Sequence, residues 1–291
     1  ARPYKAPDTF QKPRGYSYYI RRFSSTKKTG DQEERDLLLM SAHIPYDDQI
    51  QQPATVTDLK LSLIQAHLAT VGSDLAGRAE DMSFSELCRR MNIVSGPDEY
   101  IKPKNIGLLL FNNNPTIFFP CARIDLVEFQ NDVGDIYTEK IFTGPIQQQL
   151  EDALVYIKNN VITEIVKKVS GEARAIRFYN YPFVAIEEAL VNTVYHRSYQ
   201  DDSPIELRIF PDRIEMISYP GPLPPLNKEK LQSGNIVARK YRNRRIGDFL
   251  KELHLTEGRG TGIPKIKRAM ANNGSSEPIF DTDDNLSYFL T

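Results

Sequence analysis

Glu188, Asn192 and His196 recur every fourth residue within residues 185–199, a segment with a helical pattern. At that spacing the three side chains share one helix face. Ile186, Ala189, Leu190 and Val194 make the rest of that face apolar. A carboxylate and an amide set among apolar neighbours need partners such as a metal, a phosphate or water, so the stripe reads as the wall of a site. Glu, Asn and His also line solvated helix flanks, and spacing alone leaves that reading open.

The elements that must position this stripe follow it in the chain. Residues 204–210 and 214–217 alternate apolar and polar positions on either side of Pro211 and Asp212, which predicts a β-hairpin. The hairpin runs into Ser218-Tyr-Pro-Gly-Pro222. A basic stretch, Arg239, Lys240, Arg242, Arg244 and Arg245, suits either phosphate binding or a solvated face. Gly258, Gly260 and Gly262 then stand directly before a helical pattern of Ile263, Ile266, Ala269 and Met270. A flexible loop entering a helix N-terminus offers unpaired N–H groups and a positive dipole end to an anion, although a glycine run by itself can be only a turn.

Taken in order, polar helix, hairpin, glycine turn, basic connection and glycine loop resemble the GHKL ATPase fold of gyrase, histidine kinases and mismatch-repair ATPases. In particular they resemble the divergent branch of RecG-like proteins and transcriptional regulators. The resemblance is carried by Glu188-Ala-Leu-Val-Asn-Thr-Val-Tyr-His-Arg-Ser-Tyr199, Ser218-Tyr-Pro-Gly-Pro-Leu223, Arg242-Asn-Arg-Arg-Ile246 and Glu257-Gly-Arg-Gly-Thr-Gly-Ile263, and it covers roughly residues 100–291. It implies ATP and magnesium as ligands. Glu188 matches the family's catalytic base and Asn192 its magnesium-binding amide. Gly258, Gly260, Thr261 and Gly262 match the phosphate loop, and His196, Ser218 and Gly221 complete the expected nucleotide site. The family's adenine-reading Asp is replaced here by Ser218 or Tyr219. An adenine amino group left without a partner would cost about 1–3 kcal/mol, so weak ATP affinity, a different base or a vestigial pocket all follow as alternatives.

A second resemblance lies at the amino-terminal end. Residues 18–38, Tyr-Tyr-Ile-Arg-Arg-Phe-Ser-Ser-Thr-Lys-Lys-Thr-Gly-Asp-Gln-Glu-Glu-Arg-Asp-Leu-Leu, are similar to the closing strand and helix of the AlbA-like, Schlafen-related DNA-binding domain. With Ala1 as the first residue, a fragment is expected, and DNA is the implied partner, bound mainly through the portion upstream. The residues themselves predict a strand over 18–23, a basic turn over 24–30 and a short helix over 31–40. Arg21, Arg22, Lys27 and Lys28 could touch phosphate, and a solvated loop explains their charges equally well.

The region between has the pattern of an ordinary core. An amphipathic helix is expected over 58–71, and Ser83-Phe-Ser-Glu86 is a capping-box pattern that starts another. This pair could form a helix-turn-helix with Arg89 and Arg90 reading DNA, but helix pairs that only pack are commoner. Residues 106–111 suit a buried helix or strand, 122–129 a strand, and 147–169 a long helix. Proline at 182 disfavours helix at the residue before it and so marks the start of the polar helix. The expected fold class is α/β (α+β), a helix-layered mixed sheet. The expected divisions are an AlbA-like remnant over 1–50, a helical linker over 51–100 and a GHKL-like ATP-binding domain over 101–291.

A length of 291 residues suffices for two or three compact units, and a net charge of −1 gives no bulk support for a nucleic-acid partner. Cys88 and Cys121 have neither zinc spacing nor a disulfide framework around them, which makes a reducing cytoplasm the natural setting. His43, His67 and His254 stand apart and read as structural. No apolar run reaches the length of a membrane span, and no Gly-x-x-x-x-Gly-Lys-Ser/Thr loop supports motor action. The sequence therefore points to a DNA-associated transcriptional regulator with a divergent ATP-binding domain, able to form homo-oligomers. The alternative is a non-catalytic scaffold or dimerisation protein that keeps the fold without turnover.

Overall fold

Apolar residues at every second position in the predicted hairpin and at helical spacing in the polar helix converge on one core in a computed structural model of the chain. The structure describes residues 4–7, 16–22, 25–28, 30, 44–79, 81–131, 134–168, 175–233, 240–256 and 260–291. The chain divides into two units, residues 1–45 and residues 46–291.

The first unit holds β1 (Tyr4–Pro7), β2 (Tyr16–Arg22) and β3 (Ser25–Lys28) in one antiparallel sheet with β2 central. The expected strand is thus present, but the stretch expected as a basic turn is largely β3. It pairs with β2 in a register that sets Thr26 opposite Arg21 and Lys28 opposite Tyr19. A ladder that pairs backbone groups outweighs the turn-like composition of Ser25 to Lys28. The helix expected over 31–40 lies outside the described residues.

In the second unit the described residues form eight α-helices. They are α1 (Leu61–Thr70), α2 (Phe84–Arg90), α3 (Asn105–Phe111), α4 (Ile146–Asn160), α5 (Phe183–His196), α6 (Lys228–Gln232), α7 (Arg244–Glu252) and α8 (Gly262–Asn273). Two short pairs, β4 (Val94–Ser95) with β5 (Lys102–Pro103) and β8 (Glu164–Lys167) with β9 (Ile176–Tyr179), stand apart from a five-stranded sheet. That sheet comprises β6 (Ile124–Phe129), β7 (Tyr137–Phe142), β10 (Ile205–Ile209), β11 (Ile214–Ser218) and β12 (Phe289–Leu290), in the order β12-β11-β10-β6-β7. Only β6 and β10 are parallel, with Leu126 beside Leu207, and the remaining pairs are antiparallel. This is a mixed α+β fold.

Helix α5 packs against α4, α8 and β11, burying Ala185, Leu190, Val191 and Val194. Its C-terminal end is anchored by the buried Arg197, whose guanidinium donates to the carbonyls of Cys121 (2.7 Å), Ser203 (2.7 Å) and Ser198 (3.2 Å). A buried charge persists because all these bonds are made. The run 105–111 is a helix buried on all sides, which is why its sequence shows no polar face.

Helix α4 ends at Asn160, nine residues short of the expected boundary at 169. Ile165 keeps the helical spacing of the apolar residues but belongs to β8. Asn180 stops the helix by donating to the carbonyl of Val161 (2.8 Å) and accepting the N–H of Thr163 (2.8 Å), which frees the β-branched residues beyond for the β8–β9 ladder.

Ser83 caps α2 by accepting the N–H of Glu86 at 3.2 Å, as its sequence pattern predicts. Arg89 and Arg90, the candidates for DNA reading, are paired with Asp98 (2.7 Å) and Glu86 (2.8 Å). No helix among the described residues is long and apolar enough to cross a membrane.

Candidate nucleotide site

Helix α5 carries Glu188 and Asn192 into the seam it makes with α8. Glu188 is only 6% exposed. One carboxylate oxygen accepts from the Lys265 ammonium at 3.0 Å, and the other lies 3.4 Å from the Asn192 amide nitrogen. Close approach of the two helices rests on Gly262, the first residue of α8. A Cβ there would stand 2.7 Å from both the Glu188 oxygen and the Asn192 amide nitrogen, well inside van der Waals distance. Gly260 holds φ +69°, a left-handed conformation that favours glycine. The carbonyl of Thr261 accepts the N–H of Lys265 at 2.9 Å, so the lysine is fixed within the first turn of α8.

A cavity of about 120 Å³ opens beside this seam. A single water needs roughly 10–15 Å³, so a ligand group or a water cluster fits. Asn192, His196, Ser218, Gly221, Gly260 and Gly262 all line it. Pro220, Pro222, Leu223, Ile263 and Phe280 supply apolar wall, and Lys240, Tyr241 and Arg242 close another side. Among the described residues Lys240 and Arg242 line the cavity and no Asp or Glu side chain does.

His196 stacks on Tyr195 and Tyr241, with ring centroids 4.6 and 5.7 Å away, and the two tyrosine rings stack on each other at 5.2 Å. Burial, and then the Arg242 charge, push the His196 imidazole down to about 4. It is therefore neutral near pH 7 and presents one ring nitrogen as an acceptor. Arg242 donates to the carbonyls of His196 and Gly221, the latter at 3.0 Å, tying the end of α5 to the turn after β11. Asn243 adds donations to the carbonyls of Tyr195 (2.9 Å) and Arg197 (2.6 Å). At the other side of that residue, Asp47 accepts the N–H of Ile246 at 2.9 Å and so caps α7 from outside the helix.

Of the two residues expected to replace an adenine-reading Asp, Ser218 lines the cavity and is 2% exposed. Tyr219 instead donates its hydroxyl to Glu206 at 2.9 Å. Gly221 sits so close to Tyr288 and Leu286 that a Cβ would meet their backbone at 2.7–2.8 Å.

The fold thus gathers most of the residues singled out in the sequence. Glu188, Asn192, His196, Ser218, Gly221, Gly260 and Gly262 share one neighbourhood. Thr261 is exposed and is not part of the cavity wall, and Gly258 lies outside the described residues. Arg21, Arg22, Lys27 and Lys28 belong to the other unit, where Lys28 is exposed. The basic cluster divides. Lys240 and Arg242 line the cavity, Arg244 is exposed, and Arg245 lies 3.7 Å from Asp48. Arg239 lies outside the described residues. Sequence reasoning missed Lys265 and the Tyr195–Tyr241 stack. For Lys265 a signal existed, since a residue three positions after Gly262 returns to the same side of α8.

Residues 202–290 match a family model described as "Putative ATP-dependent DNA helicase recG C-terminal", which makes this part of the chain ATPase-like. The match takes in β10, β11, Lys240, Arg242 and Gly262 and begins after α5. No curated protein matches the chain. Among solved structures it is similar to the DIP2311 protein from Corynebacterium diphtheriae, with a TM-score of 0.63 and 18% identity over 94% of this chain. The match covers 53% of that protein, so the chain spans about half its length. At that identity the likeness is one of fold alone.

Proposed function

We propose that residues 101–291 form a GHKL-type domain that binds ATP with magnesium, within a DNA-associated transcriptional regulator. The observation that carries this reading is the joining of Glu188 and Asn192 on α5 to the glycine-led start of α8 beside a cavity lined by Lys240 and Arg242. Gly260 and Gly262 bring the positive end of α8 to the cavity wall, where phosphate would be favoured, and Lys240 and Arg242 line the same cavity. The apolar wall and the tyrosine–histidine stack suit a flat aromatic base.

Magnesium fits a restricted role. No group of three or more His, Cys, Asp or Glu side chains able to hold a metal exists among the described residues. Asn192 would offer one amide oxygen, and a magnesium ion that keeps most of its waters needs little more from the protein once phosphates are present. When bound, the ion would neutralise charge on the terminal phosphates. Glu188 would take a proton from an aligned water as general base. Ser218 and the neutral His196 are the groups left to meet the base, which lowers the expected affinity for adenine compared with a site containing Asp. We assign DNA binding to the AlbA-like element of the first unit.

One observation favours the scaffold alternative: the carboxylate of Glu188 is already engaged by Lys265. Titration calorimetry of ATP with magnesium into wild type, Asn192→Ala and Glu188→Ala decides between the two. The nucleotide reading expects heat from wild type, loss of binding in Asn192→Ala, and retained binding with slowed turnover in Glu188→Ala. Absence of heat from wild type at millimolar nucleotide would refute it.

A further inference from the structure

Resting on that nucleotide reading, we infer that Lys265 is a phosphate-sensing residue which masks Glu188 until a triphosphate arrives and then transfers its ammonium to the terminal phosphate. The two partners of Lys265 would compete at one place. Its Nζ lies 3.0 Å from one Glu188 oxygen. The other Glu188 oxygen is so close to Gly262 that a Cβ on that glycine would be 2.7 Å away. Gly262 also lines the cavity, so an anion seated against Gly260 and Gly262 lies beside the carboxylate that holds the lysine.

Charge and reach set the direction of the exchange. Glu188 offers one negative charge, whereas the terminal phosphate of a triphosphate carries more charge on more oxygens. The Glu188 side chain is 8% exposed and held on a helix, but that of Lys265 is 34% exposed on a flexible four-carbon stem. The lysine is therefore the partner able to swing. Its backbone N–H bonds the carbonyl of Thr261 at 2.9 Å, so the side chain starts from the first turn of α8, whose first residue is Gly262. Before the exchange the ion pair offsets the burial of Glu188. Afterwards that carboxylate has lost its cation, at the moment a water would stand beside the terminal phosphate. No covalent bond is made or broken in the exchange.

The test uses a background in which turnover is blocked and the competing charge removed. ATP and ADP, each with magnesium, are titrated calorimetrically into wild type, Glu188→Gln and Glu188→Gln/Lys265→Met. Transfer to the terminal phosphate predicts that loss of the lysine weakens ATP at least tenfold and ADP no more than twofold, and that Glu188→Gln/Lys265→Arg restores part of the preference for ATP. A lysine that serves only to hold Glu188 would leave both affinities unchanged or lower them equally in the Glu188→Gln background, and either result overturns the inference while leaving nucleotide binding in place. No heat from wild type with either nucleotide removes the nucleotide reading itself, and the inference falls with it.

Discussion

Asp47 offers a test of how α7, and through Asn243 the end of α5, is held. Its carboxylate is fully buried, one oxygen accepting the Ile246 N–H at 2.9 Å and the other having no hydrogen-bond partner among the described residues. Burial raises the carboxyl from 3.8 to about 6, against the opposing pull of the backbone N–H groups of Ile246 and Arg245. A pKa raised on folding means that the folded chain binds the proton more tightly than the unfolded one. The associated stability is fully present below the unfolded value near 4 and is lost as pH rises through about 6. A shift of roughly two units corresponds to about 3 kcal/mol, an upper bound given how buried charges relax. Asp47→Asn keeps an oxygen to accept the Ile246 N–H and cannot ionise. It should therefore exceed wild type in stability by about 1–3 kcal/mol at pH 7.5, with the difference shrinking toward zero near pH 4. Urea unfolding of both proteins at several pH values measures this directly, because other titrating groups cancel in the difference. A variant less stable than wild type at pH 7.5, or a difference independent of pH, would show that the ionised carboxylate at the α7 N-terminus outweighs its burial.

Two further expectations follow from the site. Gly262→Ala places a methyl group 2.7 Å from Glu188 and Asn192, and it should cost about 1–3 kcal/mol by overpacking, with a helix-propensity gain of at most about 1 kcal/mol in return. Urea unfolding reads the net loss, and a Gly262→Ala variant as stable as wild type would mean that the α5–α8 seam yields freely. The His196 imidazole is lowered on folding from 6.5 to about 4, so its contribution is present above pH 6.5 and lost as pH falls toward 4. Up to about 3 kcal/mol of acid destabilisation should disappear in His196→Gln, and unchanged acid sensitivity in the variant would contradict a half-buried, neutral ring.

Local order carries the parts of this fold that depend on near neighbours. The i, i+4 recurrence of Glu188, Asn192 and His196 requires only a helix to align them, and α5 supplies it. Alternation across residues 205–218 requires only a tight turn to become β10 and β11, and Ser83 with Glu86 is enough to begin α2. The same local reasoning failed at α4, where Ile165 continues the helical spacing, because what ends the helix is Asn180, seventeen residues beyond Thr163. It also failed at Ser25 to Lys28, whose strand state depends on a partner strand.

The amino-acid sequence by itself determined which residues could do chemistry and which elements present them, since helix and strand periodicities are properties of neighbours in the chain. Tertiary structure alone decided the state of those residues. Lys265 meets Glu188 because Gly262 lets two helices approach, His196 is neutral because burial and Arg242 act on it together, and Asp47 caps a helix that lies 199 residues away in the chain. Burial and long-range electrostatics depend on distances that exist only after folding, so no pattern within a helix or a strand encodes them.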